Sequence, residues 1–241
     1  AIFTRQGGYS KGPFSSLNLG GTNGDDANDV LKNHHLLFET IERPYNSRFD
    51  VWQVHGKAIL FADKPRPQGQ KHQPADGIFT DNPEVTLIMR FADCVPLVFF
   101  EPQKRVVGIV HAGWQGTLLQ IGGEAVRQLQ DRFAIDSADL RVGIGPSICG
   151  ECYQVGAEIQ TKFVKAWGAE ATQFFRQKGG QIFLDLWAAN QWTLQKAGVR
   201  QIEQSRLCTA ENVDEWYSYR QEKGITGRFA IVIALKNASN S

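Results

Sequence analysis

Residues 90–116 constrain the fold more than any other part of the chain. This stretch, RFADCVPLVFFEPQKRVVGIVHAGWQG, contains two strongly apolar runs, each bounded by residues typical of turns. Short runs rich in Val, Ile and Phe predict buried strands. Cys94 lies in the break before the first run, and His111 ends the second run just before an Ala-Gly-Trp sequence. A thiol and an imidazole therefore lie where strands give way to tight loops, which indicates an active centre.

Outside this stretch, the hydrophobic pattern predicts more strands than helices. Pro96 cannot donate to a sheet, so we expect a loop or bulge between strands at 85–91 and 98–100. Helices are predicted from Asp25 or Asp26 to residue 42 and over 117–133, 156–167 and 185–197, and further strands over 48–56, 59–61, 75–80, 105–111, 140–145, 201–208, 215–220 and 228–235. Because the strands come in adjacent runs, we predict a single α+β domain over residues 1–241, with large mixed β-sheet layers flanked by helices.

The composition excludes several functional classes. The formal net charge is +1 and no long basic block occurs, so we expect no nucleic-acid partner. No apolar run approaches the roughly 18 residues of a membrane span, so we expect no membrane partner. The sequence AIFTRQGGYS at the N-terminus has no apolar segment typical of a signal peptide, and four cysteines do not make a disulfide scaffold. We therefore predict a cytoplasmic protein, as a monomer or a small homo-oligomer.

His55 is the third member of the predicted centre. It follows an alternating run and precedes a glycine, much as His111 precedes Ala-Gly. Two histidines and one cysteine, each at a predicted strand end, suit a zinc site that keeps a fourth position open. Thiolate and neutral imidazole are ligands that a borderline-soft cation prefers.

The other cysteines and histidines are not expected to belong to the centre, and His72, in the polar loop 64–74, is predicted to be solvated. Cys149 and Cys152 form a Cys-x-x-Cys pair, but a zinc ribbon needs a second pair and Cys208 stands alone in the sequence. No four-cysteine site is therefore expected. Of the adjacent His34 and His35, one is predicted to face the core and the other water.

Seven motifs, spread almost from end to end, resemble the YfiH family, also called the laccase-domain or purine nucleoside phosphorylase family and formerly the multicopper polyphenol oxidoreductases. They are TRQGGYSKGPFSSLNLG with GDD behind it (4–26), QVHG (53–56), ADG (75–77), ADCVPL (92–97), HAGWQG (111–116), GIGPSICGECYQV (143–155) and CTAENVDEWYSYRQEKGITGR (208–228). QVHG, ADC and HAGW in this order are a very specific combination, whereas each alone is weak.

The resemblance implies that His55, Cys94 and His111 are metal ligands, the same residues that the pattern of strand ends selects. It also implies zinc-dependent phosphorolysis of adenosine, inosine, guanosine and methylthioadenosine, together with deamination of adenosine. The expected partners are purine nucleosides and phosphate. The implied fold is that of the proteins related to cytotoxic necrotising factor. The family usually has Arg after HAGW, where this chain has Gln115. If that Arg binds an anion in the family, this chain is expected either to bind phosphate more weakly or to use another arginine.

Mechanistic roles follow from the chemistry that these reactions need. Deamination requires an activated water, and zinc lowers the pKa of a water ligand to about 7. A carboxylate must move protons, for which Asp93 and Asp76 are the candidates. Phosphorolysis requires a phosphate held beside C1′ of the ribose, and Arg220 and Arg228 are the expected binding groups.

Two other enzymatic interpretations remain open at this level. Cys94 can instead act as the nucleophile of a thiol hydrolase or amidase with His111 as base, an interpretation that kinship with cysteine hydrolases and a role in peptidoglycan-precursor editing would support. A copper polyphenol oxidase is the second alternative. Multicopper oxidases need about ten histidine ligands, and the chain has five histidines, which argues against copper chemistry. A third interpretation is a non-enzymatic zinc-binding or partner-binding protein.

Overall fold

The computed structural model of the protein describes residues 1–236, which form three sheets and five α-helices. The helices are α1 (Ala27–Thr40), α2 (Trp114–Leu118), α3 (Ile121–Phe133), α4 (Ala157–Trp167) and α5 (Leu186–Lys196). The strands are β1 (Arg48–Phe49), β2 (Ile59–Phe61), β3 (Gly77–Thr80), β4 (Thr86–Phe91), β5 (Val95–Glu101), β6 (Val106–Ala112), β7 (Arg141–Ile144), β8 (Gln154–Val155), β9 (Phe175–Lys178), β10 (Gln181–Leu184), β11 (Gln201–Gln204) and β12 (Phe229–Ala234). The predicted domain extends to residue 241, and its residues 237–241 lie outside the described part.

Two sheets pack against each other, and helices cover their outer faces. The larger sheet has six strands in the order β11-β7-β5-β6-β3-β2, with parallel and antiparallel neighbours. A three-stranded sheet, β1-β4-β12, shares one apolar core with it and a second core with α1. Helices α3, α4 and α5 contribute to the core on the other face of the larger sheet. This architecture confirms the predicted α+β fold with mixed sheet layers flanked by helices.

Strand β6 shows why the central strands appear in the sequence as continuous apolar runs. All seven of its residues are buried, because both faces of the larger sheet are covered. Val110 belongs to the core on the helical side, and Ile109 to the core between the two sheets. Since side chains alternate along a strand, His111 enters the layer between the sheets, where its ring centroid lies 5.5 Å from that of Phe91.

Helix α1 begins at the predicted cap and places one histidine in the core. The Asp26 carboxylate accepts hydrogen bonds from the backbone N–H groups of Asn28 and Asp29, which satisfies donors that the first turn leaves free. His34 is buried and His35 is exposed. Nε2 of His34 lies 3.1 Å from the Leu19 carbonyl oxygen, and its Nδ1 has no hydrogen-bond partner within the described residues. Burial and the positive charge of Arg90 lower the pKa of His34 to about 3.

We expect the buried His34 to make the protein less stable as the pH falls from 6.5 towards 3. In this window the unfolded chain binds a proton at His34 but the native state does not, so each pH unit removes up to about 1.4 kcal/mol from the free energy of unfolding. Urea unfolding at about pH 7 and about pH 4.5 should show that His34→Gln loses roughly 2–3 kcal/mol less than the unsubstituted protein. The control, His35→Gln, should keep the original dependence. Equal losses in all three proteins would contradict the assignment.

The predicted strand at 48–56 is wrong beyond Phe49. Within this segment only β1 pairs with a neighbouring strand, and Trp52 forms an isolated bridge to Pro74. The next backbone N–H groups, those of residues 54–56, donate to the Asp76 carboxylate and not to a strand. The alternating pattern is real, but a distant carboxylate takes the donors that a sheet would need.

A similar exchange makes the predicted strand at 215–220 wrong. The backbone N–H of Ser218 donates to the Glu222 carboxylate, and that of Arg220 donates to the Asp93 carboxylate. The segment consequently folds as turns in which Trp216 and Tyr217 are buried. Buried aromatic residues produced the strand-like pattern without a strand.

Two further local predictions differ from the structure. Pro96 lies inside β5, where its carbonyl oxygen accepts a hydrogen bond from the Gly145 N–H just beyond the end of β7. Its missing donor is tolerated because pairing with β7 starts only at Leu97. The helix predicted over 117–133 is divided into α2 and α3, because Gln120 adopts a left-handed backbone with φ of 55°.

No helix within residues 1–236 has both the length and the apolar character required to cross a bilayer.

Candidate functional site

A cavity of about 680 Å³ opens at the edge of the two packed sheets. The predicted centre lies in its wall, together with aromatic and cationic side chains. The lining includes His55, Asp93, Cys94, His111, Trp52, Trp114, Tyr153, Tyr219, Arg90, Arg220 and Arg228. The structure therefore places six of the seven predicted site residues in one pocket wall, and the seventh, Asp76, directly behind it.

The two histidines and the cysteine converge although they come from distant parts of the sequence. One ligand atom from each of His55, Cys94 and His111 lies within 4.8 Å of the other two. The imidazole rings of His55 and His111 are 4.9 Å apart between centroids, at an interplanar angle of 71°. His111 is buried, Cys94 is partly exposed and His55 faces the open cavity, so the three donors are accessible from the pocket.

Asp76 organises this convergence from a fully buried position. Its Oδ1 lies 2.9 Å from Nδ1 of His111 and 3.0 Å from the His55 backbone nitrogen. Its Oδ2 accepts from the N–H groups of Val54 and Gly56 at 3.2 Å and 2.7 Å. One carboxylate thus fixes the loop that carries His55 and the ring orientation of His111. Because the Nδ1 proton of His111 points to Asp76, Nε2 remains available to a metal.

The His55 loop and Gly113 together allow a close approach to the thiol. His55 has φ of 60°, an uncommon conformation outside glycine, and the three N–H bonds to Asp76 stabilise it. A Cβ atom at Gly113 would lie 3.0 Å from Sγ of Cys94 and 3.1 Å from Cδ2 of His55. Only glycine at this position leaves room for both side chains, which explains the glycine of the HAGW motif in terms of geometry.

The electrostatics of the centre favour a thiolate. Burial acts to raise the pKa of the Cys94 thiol, but His111 and His55 oppose it and hold that pKa below its ordinary value. Burial likewise acts to lower the pKa of His111, while Cys94 and Asp76 raise it above its usual range. A cation bound between the donors would displace the proton that Nε2 of His111 carries when the ring is charged. The donor set of one thiolate and two imidazoles, with an anionic partner behind His111, therefore fits a divalent metal such as zinc.

Asp93 has a strained backbone, and its carboxylate accepts hydrogen bonds from neighbouring loops. Its φ is 77°, in a region that non-glycine residues rarely adopt. Its Oδ1 accepts from the Thr209 hydroxyl at 2.7 Å, and its Oδ2 accepts from the Arg220 N–H at 2.6 Å. These bonds fix the turn that presents Cys94 to the pocket.

The two predicted arginines also line the cavity. Arg228 makes no ion pair within the described residues: its Nη1 donates to the carbonyl oxygens of Thr226 and Gly227. Its remaining donors are free to bind an anion in the pocket. Arg220 donates to the Gln154 carbonyl, and its guanidinium carbon lies 4.9 Å from the centroid of the Tyr153 ring.

Two features in and beside the pocket were not identified from the sequence. Trp52 is half-exposed at the cavity. It could have been identified from the sequence, because its large apolar ring shares the register of the polar Arg48 and Asp50 in an alternating segment. Asp50 is almost fully buried and pairs with Arg66, Arg90 and His72 at 2.7, 2.7 and 3.1 Å. His72 belongs to a loop expected to be open to water, and no local pattern reveals that a buried carboxylate binds it.

Comparison with known proteins agrees with the motifs. The profile of the family described as "Multi-copper polyphenol oxidoreductase laccase" matches residues 1–236. A Bacillus subtilis protein named purine nucleoside phosphorylase YlmD is 36% identical, covering 98% of this chain and 87% of its own. The crystal structure of YlmD from Geobacillus stearothermophilus superposes with a TM-score of 0.93 at 37% identity, covering 98% of this chain and 91% of the other. That of Bacillus licheniformis hypothetical protein YfiH has a TM-score of 0.91 at 33% identity, with the same coverages.

Proposed function

Since the chain belongs to the multi-copper polyphenol oxidoreductase laccase family, the family of YfiH and YlmD, we propose that it is a zinc-dependent purine nucleoside phosphorylase. The proposal includes phosphorolysis of methylthioadenosine and deamination of adenosine. The observation that carries it is the convergence of His55, Cys94 and His111 in a pocket that also presents free guanidinium donors. The profile match and the similar proteins confirm the family resemblance inferred from the motifs, and the activity is our proposal.

His55, Cys94 and His111 would hold the zinc ion. When bound, zinc would supply a Lewis acid that lowers the pKa of a water ligand to about 7. Asp76 keeps Nε2 of His111 turned towards the centre and is therefore a positioning residue. Asp93 and Asp76 remain our candidates for moving protons, since Asp93 adjoins Cys94 and Asp76 contacts His111.

The rest of the pocket offers binding groups for both substrates. A nucleoside needs a planar surface for its base, and Trp114 and Tyr153 line the cavity with aromatic faces. Phosphate needs cationic donors, which Arg228 and Arg220 supply. In phosphorolysis a phosphate oxygen forms a bond to C1′ of the ribose while the bond from C1′ to the purine nitrogen breaks, so these two subsites must adjoin. The size of the cavity, about 680 Å³, is in the range of small-molecule sites.

We expect Arg228→Gln to raise the KM for phosphate by about 10–100-fold, because a hydrogen bond from a charged group contributes roughly 1.5–3 kcal/mol. The KM for the nucleoside should change much less. Steady-state kinetics with inosine and varied phosphate measures both constants. Arg141→Gln is the matched control, because Arg141 is exposed on β7 and is absent from the pocket lining. An unchanged phosphate KM in Arg228→Gln would remove Arg228 from the phosphate site.

One specific observation favours a second function. Asp76 contacts His111, and a ring nitrogen of His111 lies within 4.8 Å of the Cys94 sulfur, the order of acid, base and nucleophile in a thiol hydrolase. The alternative is therefore a cysteine hydrolase or amidase acting on a peptidoglycan precursor, with Cys94 as nucleophile. Inactivation by iodoacetamide together with indifference to chelators would favour this alternative over the zinc enzyme.

A turnover panel combined with metal analysis tests the main proposal. The purified protein is assayed with adenosine, inosine, guanosine and methylthioadenosine, with and without phosphate, and the products are separated by chromatography. We expect release of free base only with phosphate, conversion of adenosine to inosine without it, and loss of both after chelation. A copper-loaded protein that oxidises phenols, and that neither cleaves nor deaminates nucleosides, would overturn the proposal. A cytoplasmic location and a monomeric or small oligomeric state remain predictions.

A further inference from the structure

The structure brings a second group of potential metal ligands together outside the pocket. One donor atom from each of Cys149, Cys152, Cys208 and Glu211 lies within 4.8 Å of every other. The sequence argued against a zinc site here because only one Cys-x-x-Cys pair is present. The fold supplies the missing ligands from a segment about sixty residues further along the chain.

We propose that Cys149, Cys152, Cys208 and Glu211 bind a second metal ion, a structural zinc. Three thiolates and one carboxylate complete the four-coordinate set that structural zinc sites use, and thiolates select zinc over the hard cations magnesium and calcium. Binding displaces the three thiol protons to solvent, and the ion then carries four protein ligands. The inference is independent of the proposed nucleoside chemistry, since none of these four residues lines the cavity.

The backbone around the cluster already has the form of a metal-binding turn. Both Cys152 and Tyr153 donate their N–H groups to the Cys149 carbonyl oxygen, at 3.1 and 3.0 Å, so the two sulfur atoms of the pair lie on one side of a tight turn. The Cys149 N–H donates to Sγ of Cys208 at 3.3 Å. An N–H directed at a sulfur atom stabilises negative charge on it, as metal-bound thiolates require.

Glu211 completes the cluster on its solvent side. Its Oε1 lies 3.6 Å from Sγ of Cys152 and 3.9 Å from Sγ of Cys149. Cys149 and Cys208 are buried, Cys152 is partly exposed and Glu211 is exposed. The arrangement is thus a buried set of thiols with one carboxylate at the surface, where an ion can enter.

A metal at this site would fix the positions of residues in one wall of the pocket. The segment around Cys208 pairs with that of Cys149 through an isolated β-bridge between Ser147 and Cys208. Tyr153, next to Cys152, lines the cavity. Thr209, next to Cys208, donates to Asp93, which precedes Cys94. Four metal bonds across the bridge would hold both of these groups in place.

Metal stoichiometry of the reduced full-length protein tests this inference. We expect two equivalents of Zn²⁺ in the unsubstituted protein, one in Cys94→Ala and one in Cys208→Ser. With Co²⁺ as the probe, Cys94→Ala should show a thiolate-to-metal charge-transfer band about three times as intense as that of Cys208→Ser. Three thiolates would bind Co²⁺ in the first variant, whereas in the second only Cys94 would, because Cys149 and Cys152 no longer complete a site. Zn²⁺ should also raise the thermal unfolding midpoint of Cys94→Ala.

A substitution at the surface guards against a variant that fails to fold. Glu211→Gln in the Cys94→Ala background should bind Zn²⁺ more weakly by about tenfold or more, while Glu215→Gln, an exposed residue of the same segment, should not. The inference is overturned if folded Cys94→Ala binds no Zn²⁺ and gives no Co²⁺ thiolate band. It is equally overturned if mass spectrometry of the freshly reduced protein with excess Zn²⁺ finds Cys149 in a re-formed disulfide and no metal bound.

Discussion

Replacement of Cys94 by alanine should remove one equivalent of zinc and lower nucleoside turnover by about 10³-fold or more. The physical reason is that Cys94 supplies the only negative charge among the three donors of the centre. Without it, His55 and His111 alone must hold the cation, and two neutral imidazoles bind zinc much more weakly. Metal analysis and assays of inosine phosphorolysis measure the two effects on the same sample.

Both the zinc enzyme and the thiol hydrolase predict loss of activity in Cys94→Ala, so the metal content has to separate them. In the zinc enzyme, chelation inactivates the unsubstituted protein and added Zn²⁺ restores it. The companion substitution His55→Gln also distinguishes the two mechanisms. It should inactivate the zinc enzyme but not the thiol hydrolase, since the series Asp76, His111 and Cys94 does not include His55. A Cys94→Ala protein that has lost the metal of the centre and keeps full activity would exclude both mechanisms.

The second large effect is expected for Asp76→Asn. The side chain of Asp76 accepts from four donors, three backbone N–H groups and the His111 ring. An asparagine of the same shape turns an N–H₂ group towards two of them, so at least two hydrogen bonds are lost in a fully buried place. We expect a loss of about 3 kcal/mol in the free energy of unfolding and a 10–100-fold weaker zinc affinity.

Asp81→Asn is the matched control for this substitution, because Asp81 follows the same strand, β3, and is exposed. Urea unfolding of the metal-free proteins isolates the structural part of the effect, and zinc titration isolates the part that acts through His111. A folded Asp76→Asn protein that binds zinc as tightly as the unsubstituted one would show that Asp76 does not position the ligand. In that case its role would be confined to the His55 loop.

Carboxylate acceptors explain both wrongly predicted strands. Residues 54–56 and 218–220 both carry strand-like sequences, yet their N–H groups donate to the carboxylates of Asp76, Glu222 and Asp93. Hydrophobic periodicity reports which side chains are buried, and it does not identify the acceptor that each backbone donor will find. These exchanges occur beside the pocket, where the backbone is bent to present His55 and Arg220.

The sequence by itself determined the layered α+β architecture, the buried central strands and the identity of the three converging residues. Apolar runs and the order of motifs can be read directly along the chain. Only the tertiary structure decided that Asp76 joins two of those residues, that His72 meets Asp50, and that Cys208 and Glu211 come to Cys149 and Cys152. The physical reason is that a hydrogen bond or a metal ligand acts over a few ångströms in space. Separation along the chain does not encode that distance, which the packing of the sheets sets.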